Sequence, residues 1–198
     1  MKFLVLARRA LALMGAALVF EAGGASVPAL ARVAVPWIGQ KAATDCGRAV
    51  LASLAARRGG DPEEYYSRIP EPEDMARGYS ILEMQRQGAR LGVSLALRAP
   101  SGVVITGQCS PTQAVSDYFR RLSGSVAAGR PVVVPVTTAS SGHYLVLVDA
   151  SGDSFSVLDP ATPGLRSMGA AELASAMCGF GYVALEAADA ARRRKRAK

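Results

Sequence analysis

Val50, Leu51, Leu54 and Ala55 recur at near-helical spacing ahead of Gly59-Gly60, which predicts an apolar helix beginning near Cys46. A short second helix is predicted after Asp61. The aspartate supplies a cap, Pro62 suits the first turn, and Glu63 and Glu64 put acid at the positive end. It ends before Ile69-Pro70. Ser80-Ile81-Leu82-Glu83 has the serine and glutamate spacing of a capping box, so a third helix runs from there to about Leu91, where Gly92 stops it. Val93 to Leu97 alternates as a strand does.

Ala99 to Ser110 is weakly patterned, and Val103-Val104-Ile105 is its strand-like run. Ser110-Pro111 opens a further helix to about Leu122. Beyond Gly129-Arg130-Pro131 the chain reads as sheet: the apolar run Val132 to Val136, then strands over His143 to Asp149, Ser154 to Asp159 and Gly181 to Glu186. A short helix, Ala170 to Met177, lies between the last two. A turn centred on Ser151-Gly152 joins His143–Asp149 and Ser154–Asp159 into a hairpin. No internal repeat is visible, and the fold class is α+β in a single domain.

Composition fits that domain, since 198 residues with 50% hydrophobic content, 11 prolines and 20 glycines suffice for a sizeable core. The N terminus is set apart. Lys2, Arg8 and Arg9 precede the uncharged run Ala10 to Phe20, and small residues follow up to Ala29-Leu30-Ala31, the pattern of a secretory signal peptide. Residues 1–31 are therefore expected to be a signal, 32–188 the domain and 189–198 a basic tail, with the protein exported to the periplasm or beyond. The run is short for a membrane span; an uncleaved anchor is the alternative, and it would be the only membrane contact.

The net charge of +7 points to nucleic acid until it is divided along the chain. The signal contributes three basic residues against Glu21, and the tail from Ala191 to Lys198 contributes six more, which leaves the body near −1. Such a body offers no basic surface to phosphates, and Arg192-Arg193-Arg194-Lys195-Arg196 is read as a solvated end.

The chemistry converges on two stretches. Gln40-Lys41-Ala42-Ala43-Thr44-Asp45-Cys46-Gly47 places an amide six residues before a thiol in the first turn of the predicted helix. There the unpaired N–H groups favour thiolate, and the Gln40 side chain can join the Cys46 backbone N–H in holding an oxyanion. In the predicted hairpin His143 and Asp159 come near each other at the end away from the turn. A carboxylate on one ring nitrogen leaves the other to take a proton from a thiol. His143 is the chain's one histidine, so no other base competes for the role. The bland alternatives are a buried helix cysteine, an edge histidine and a strand-ending aspartate.

These residues, in the order Gln, Cys, His, Asp, resemble the bacteriocin-processing cysteine peptidases, a papain-like family that removes double-glycine leader peptides. Gln40 with Asp45-Cys46-Gly47 resembles the family's glutamine and cysteine motif. Gly142-His143-Tyr144-Leu145-Val146-Leu147 resembles its histidine strand, and Asp159-Pro160-Ala161 its aspartate strand. The resemblance implies a papain-like fold, with the helix carrying the cysteine packed on an antiparallel sheet carrying histidine and aspartate. It further implies a peptide or protein substrate and neither cofactor nor metal. Cys46 would be nucleophile, His143 general base, Asp159 its orienter and Gln40 the oxyanion donor. Two other functions keep the same residues: a peptide-binding module without turnover, and a thiol acyltransferase or amidase acting on a non-protein amide.

Three cysteines in an exported protein leave one unpaired, which fits a free Cys46 and a disulfide between Cys109 and Cys178. A zinc site built from all three with His143 competes for the same atoms, but no Cys-x-x-Cys pair supports it.

Overall fold

The first helix, α1 (Cys46–Ala56), buries ten of its eleven residues, all but Arg48. A helix apolar around its circumference has to lie inside the molecule. The computed structural model, which describes residues 33–101, 109, 112–138 and 141–189, places α1 against α2 (Pro62–Arg68), α3 (Ile81–Arg90) and strand β3 (Gly142–Ser151). The expected signal (1–31), the Val103–Ile105 run, the Ser110-Pro111 helix start and the tail beyond Asp189 lie outside the described residues. No helix among the described residues is long and apolar enough to cross a membrane.

The helix starts follow their sequence signals. Asp61 accepts from the Glu63 backbone N–H at 3.0 Å, with Pro62 in the first turn. Ser80 and Glu83 form the reciprocal capping box, and Glu83 also accepts from the Glu73 N–H at 2.8 Å, which ties the preceding loop to α3. The fourth helix, α4 (Gln113–Ala127), is capped by Thr112 and runs five residues past the expected end at Leu122. The Ser123-Gly124-Ser125 stretch reads as a stop by propensity, but tertiary contacts override it. Val126 is buried, and the Ser125 hydroxyl donates to Glu186 at 2.5 Å. Glu186, itself 8% exposed, also pairs with Arg98 and Arg130 at 3.0 and 3.1 Å.

Among the described residues six strands form one antiparallel sheet in the order β1 (Val93–Arg98), β6 (Ala184–Asp189), β2 (Val132–Thr137), β3, β4 (Ser154–Leu158), β5 (Leu165–Gly169). Two strands depart from expectation. The last begins three residues late, because a 3-10 turn over Cys178–Phe180 is followed by Gly181 and Tyr182 at φ +66° and +58°, a left-handed backbone that no strand contains. The fifth has no alternating pattern to announce it. It is an edge strand with only Met168 buried, and helix α5 (Ala170–Met177) follows it directly. The bridge Cys109–Cys178 is present, with Cα atoms 5.6 Å apart.

The β3–β4 hairpin decides what faces the active end. Its turn is Gly152-Asp153, one residue later than expected, with Ser151 opposite Ser154 and Gly152 at φ +56°. From the turn outward Ala150 faces Phe155 and Asp149 faces Ser156. The register then slips, so that Leu147 faces Val157 and Val146 faces Leu158. Val148 is thus a bulge residue, and its carbonyl accepts from the Val33 N–H at 2.9 Å. Extending the slipped register puts Asp159 opposite Leu145, on the face of His143. Without the extra residue Asp159 would oppose Val146 and point to the other face. The bulge makes the pair possible.

Candidate catalytic site

Cys46 opens α1 behind Asp45 and is 5% exposed. Its position is fixed by close packing: a Cβ on Gly47 would lie 2.7 Å from the Tyr79 Cβ, and one on Gly78 2.8 Å from the Thr44 carbonyl oxygen. The loop before α3 is therefore pressed against the start of α1. The Tyr144 hydroxyl donates to the Tyr79 carbonyl at 3.0 Å, and the Tyr79 hydroxyl to that of Pro70 at 2.5 Å. Burial pushes the Tyr79 hydroxyl up to about 12 and Tyr144 upward as well, so both remain neutral donors.

His143 joins the two halves of the site. Its Nε2 is 2.7 Å from Asp159 Oδ1, and Cys46 lies close enough to act on the same imidazole. With Nε2 committed to the carboxylate, Nδ1 is the nitrogen left for the thiol. Burial of the ring pulls its pKa down, but the interactions with Cys46 and Asp159 outweigh it. The result lies above the ordinary 6.5, so the fold favours an imidazolium facing sulfur.

Asp159 is anchored from several sides. Its Oδ1 also accepts from the Ala161 N–H at 2.8 Å, its carbonyl from the Trp37 indole at 2.8 Å, and Arg166 stands 3.9 Å from Oδ2. Gln40 is brought to the same place by its backbone N–H, which donates to the Pro160 carbonyl at 2.9 Å. Its side-chain Nε2 donates to the Ala42 carbonyl at 3.1 Å, which leaves the second N–H of that amide available. Its Oε1 is buried without a protein partner. All four expected residues are therefore positioned in one neighbourhood by α1, β3, the end of β4 and the segment preceding α1.

Beneath Cys46 lies a polar group that the sequence did not announce. Asp45, 4% exposed, caps no N–H with its side chain. It accepts instead from the Tyr66 hydroxyl of α2 and lies 3.6 Å from Arg48. Arg48 stacks 4.5 Å from the Tyr66 ring and pairs with Glu71 at 2.6 Å. Burial, then the hydrogen bond to Asp45, pushes the Tyr66 hydroxyl well above the usual phenol range. A buried carboxylate without such partners is strongly destabilising, so α2 is held to the first turn of α1 at this point. Nothing local predicts a partner 21 residues away. Trp37 was also missed, although a lone tryptophan three residues before Gln40 was a signal to be read.

Among the described residues no group of three or more histidine, cysteine, aspartate or glutamate side chains could hold a metal ion. The disulfide removes Cys109 and Cys178 from the ligand set that the zinc alternative required.

No family model matches the sequence, nor does any curated protein. Solved structures do match. The double glycine motif protease of an AMS/PCAT transporter, in complex with the leader peptide, aligns with a TM-score of 0.54 at 18% identity over 80% of this chain and 94% of its own. A Bacillus anthracis protein described as C39-like peptidase gives 0.55 at 15% identity, over 78% and 94%. The peptidase domain of Streptococcus ComA, a bi-functional ABC transporter of a quorum-sensing pathway, gives 0.54 at 18% identity, over 79% and 99%. What is shared at such identities is the fold: helices and one antiparallel sheet in the arrangement of these papain-like peptidase domains.

Proposed function

We propose that this chain is a cysteine peptidase that cleaves a peptide bond following a pair of glycines in an exported or envelope protein. The observation that carries the reading is the imidazole of His143 held at 2.7 Å by Asp159, with Cys46 at the start of α1 acting on the same ring. Similarity of fold to peptidase domains, one of them in complex with a leader peptide, supports it by analogy.

The chemistry follows from the positions. Cys46 first passes its proton to His143 Nδ1, Asp159 stabilises the imidazolium so formed, and the sulfur then attacks the substrate carbonyl. The oxyanion is held by the Cys46 backbone N–H at the helix start and by the free N–H of Gln40. Collapse breaks the C–N bond, and the imidazolium gives its proton to the departing amine, leaving a thioester on Cys46. Water, deprotonated by the same imidazole, then releases the acid and restores the thiol.

The test is mass spectrometry of synthetic peptides incubated with the purified protein. Cleavage after the second glycine of a Gly-Gly segment, absent when those glycines are replaced by alanine, is the expected result. Cleavage indifferent to the pair would overturn the specificity, and transfer of the acyl group to an added amine would mark an acyltransferase. The same spectra read the protein's own N terminus, expected near Arg32 if residues 1–31 are a signal.

A further inference from the structure

We propose that Trp37 is a positioning residue of this site: its indole fastens the segment carrying Gln40 to the backbone of Asp159 and thereby holds the carboxylate that orients His143. The inference rests on the peptidase reading above and assigns a role to a residue that the reading does not use.

Three contacts define the clasp. The indole N–H donates to the Asp159 carbonyl at 2.8 Å. The ring edge lies so close to Gly39 that a Cβ there would be 2.9 and 3.2 Å from two of its carbons, so a side chain at that position would push the indole aside. That anchor is the Gln40 N–H on the Pro160 carbonyl at 2.9 Å. Residues 37–40 and 159–160 are thus tied twice, once through a side chain and once through backbone, at the carbonyls on either side of the Pro160 Cα.

Core packing does not account for this tryptophan, because it remains 39% exposed. Large aromatic surface left in water is ordinarily buried or matched to a partner. Its defined contacts are the indole bond to Asp159 and the ring edge set against Gly39. The consequence reaches the imidazole through a short path. The groups facing His143 are Cys46 from α1 and Asp159 from the end of β4, with Arg166 of β5 on the far carboxylate oxygen at 3.9 Å. Freeing the Asp159 carbonyl removes one hold on the Asp159 backbone and lets the carboxylate turn toward Arg166, at the expense of the bond to Nε2.

The chain has a single histidine, so the NMR titration of its ring reports His143 directly, without a substrate. The experiment compares wild type, Trp37→Phe and His143→Ala. Phenylalanine keeps the apolar ring and removes the N–H. Wild type is expected to titrate above 6.5. Trp37→Phe is expected to lower the midpoint by about half a unit, which is about a threefold loss of proton affinity. Iodoacetamide labelling of Cys46 at pH 6 should slow by about the same factor, with the thermal unfolding midpoint within about 2 °C of wild type. An unchanged titration and labelling rate in Trp37→Phe would overturn the positioning role. If His143→Ala leaves labelling unchanged, the peptidase reading itself fails. Slowing by His143→Ala without any effect of Trp37→Phe removes only the inference drawn here.

Discussion

Replacing Cys46 by alanine is expected to abolish hydrolysis while leaving the fold and peptide binding in place. Loss of the nucleophile from a triad that works as a unit costs about 10⁴-fold or more in turnover, because His143 and Asp159 then have no sulfur to activate. The structural cost is small by comparison. Cys46 is a free, buried thiol at a helix start, and deleting one sulfur there costs about 1 kcal/mol. Peptide hydrolysis followed by mass spectrometry, beside a thermal unfolding curve, separates the two effects. Retained turnover would place the chemistry elsewhere in the chain. Absence of turnover in wild type, with peptide bound equally by both proteins, would instead mark a binding module.

Removing the disulfide is expected to have the largest effect on stability. The bridge spans 69 residues of sequence, and closing a loop of that size in the unfolded chain is worth about 4 kcal/mol in the chain-entropy model. The strain of losing it should be felt near the site. Cys178 opens the 3-10 turn whose Gly179 sits against Thr137, where a Cβ would be 2.6 Å from Oγ1. Phe180 meets Gly142 in the same way at 2.9 Å. Gly142 immediately precedes His143. Urea unfolding of the Cys109→Ala/Cys178→Ala variant should therefore show the midpoint shifted down, with a steeper slope because the unfolded chain expands without the bridge. A midpoint equal to that of the oxidised wild type would mean that the native packing of the turn, rather than the bridge, holds this region.

The local signals in the chain were legible because local physics decides them. Asp61 and Ser80 cap helices wherever their backbone is, and Cys46 falls in a first turn because an apolar periodic run follows it. His143 and Asp159 were also placed together correctly, but for an incomplete reason. The turn sits one residue later than the sequence suggests, and it is the bulge at Val148 that restores both side chains to one face. A bulge depends on which groups its extra carbonyl can find, here the Val33 N–H, and no pattern along β3 encodes that. The edge strand Leu165–Gly169 and the buried Asp45, Tyr66 and Arg48 group also escaped. The strand buries only Met168 and so shows no alternation, while the Asp45 group is held by partners distant in sequence, so both look like loop or surface when read alone. Trp37 differs from these, since its rarity and its place before Gln40 were visible and only its partner was not.

The central claim is that the fold sets His143 to activate Cys46, and thiol labelling tests it most directly. Purified wild type and His143→Ala are treated with iodoacetamide across pH 5 to 9, and the label is located by mass spectrometry. The prediction is fast labelling confined to Cys46 in wild type and slower labelling across the same range in His143→Ala. Superimposable profiles for the two proteins would contradict it.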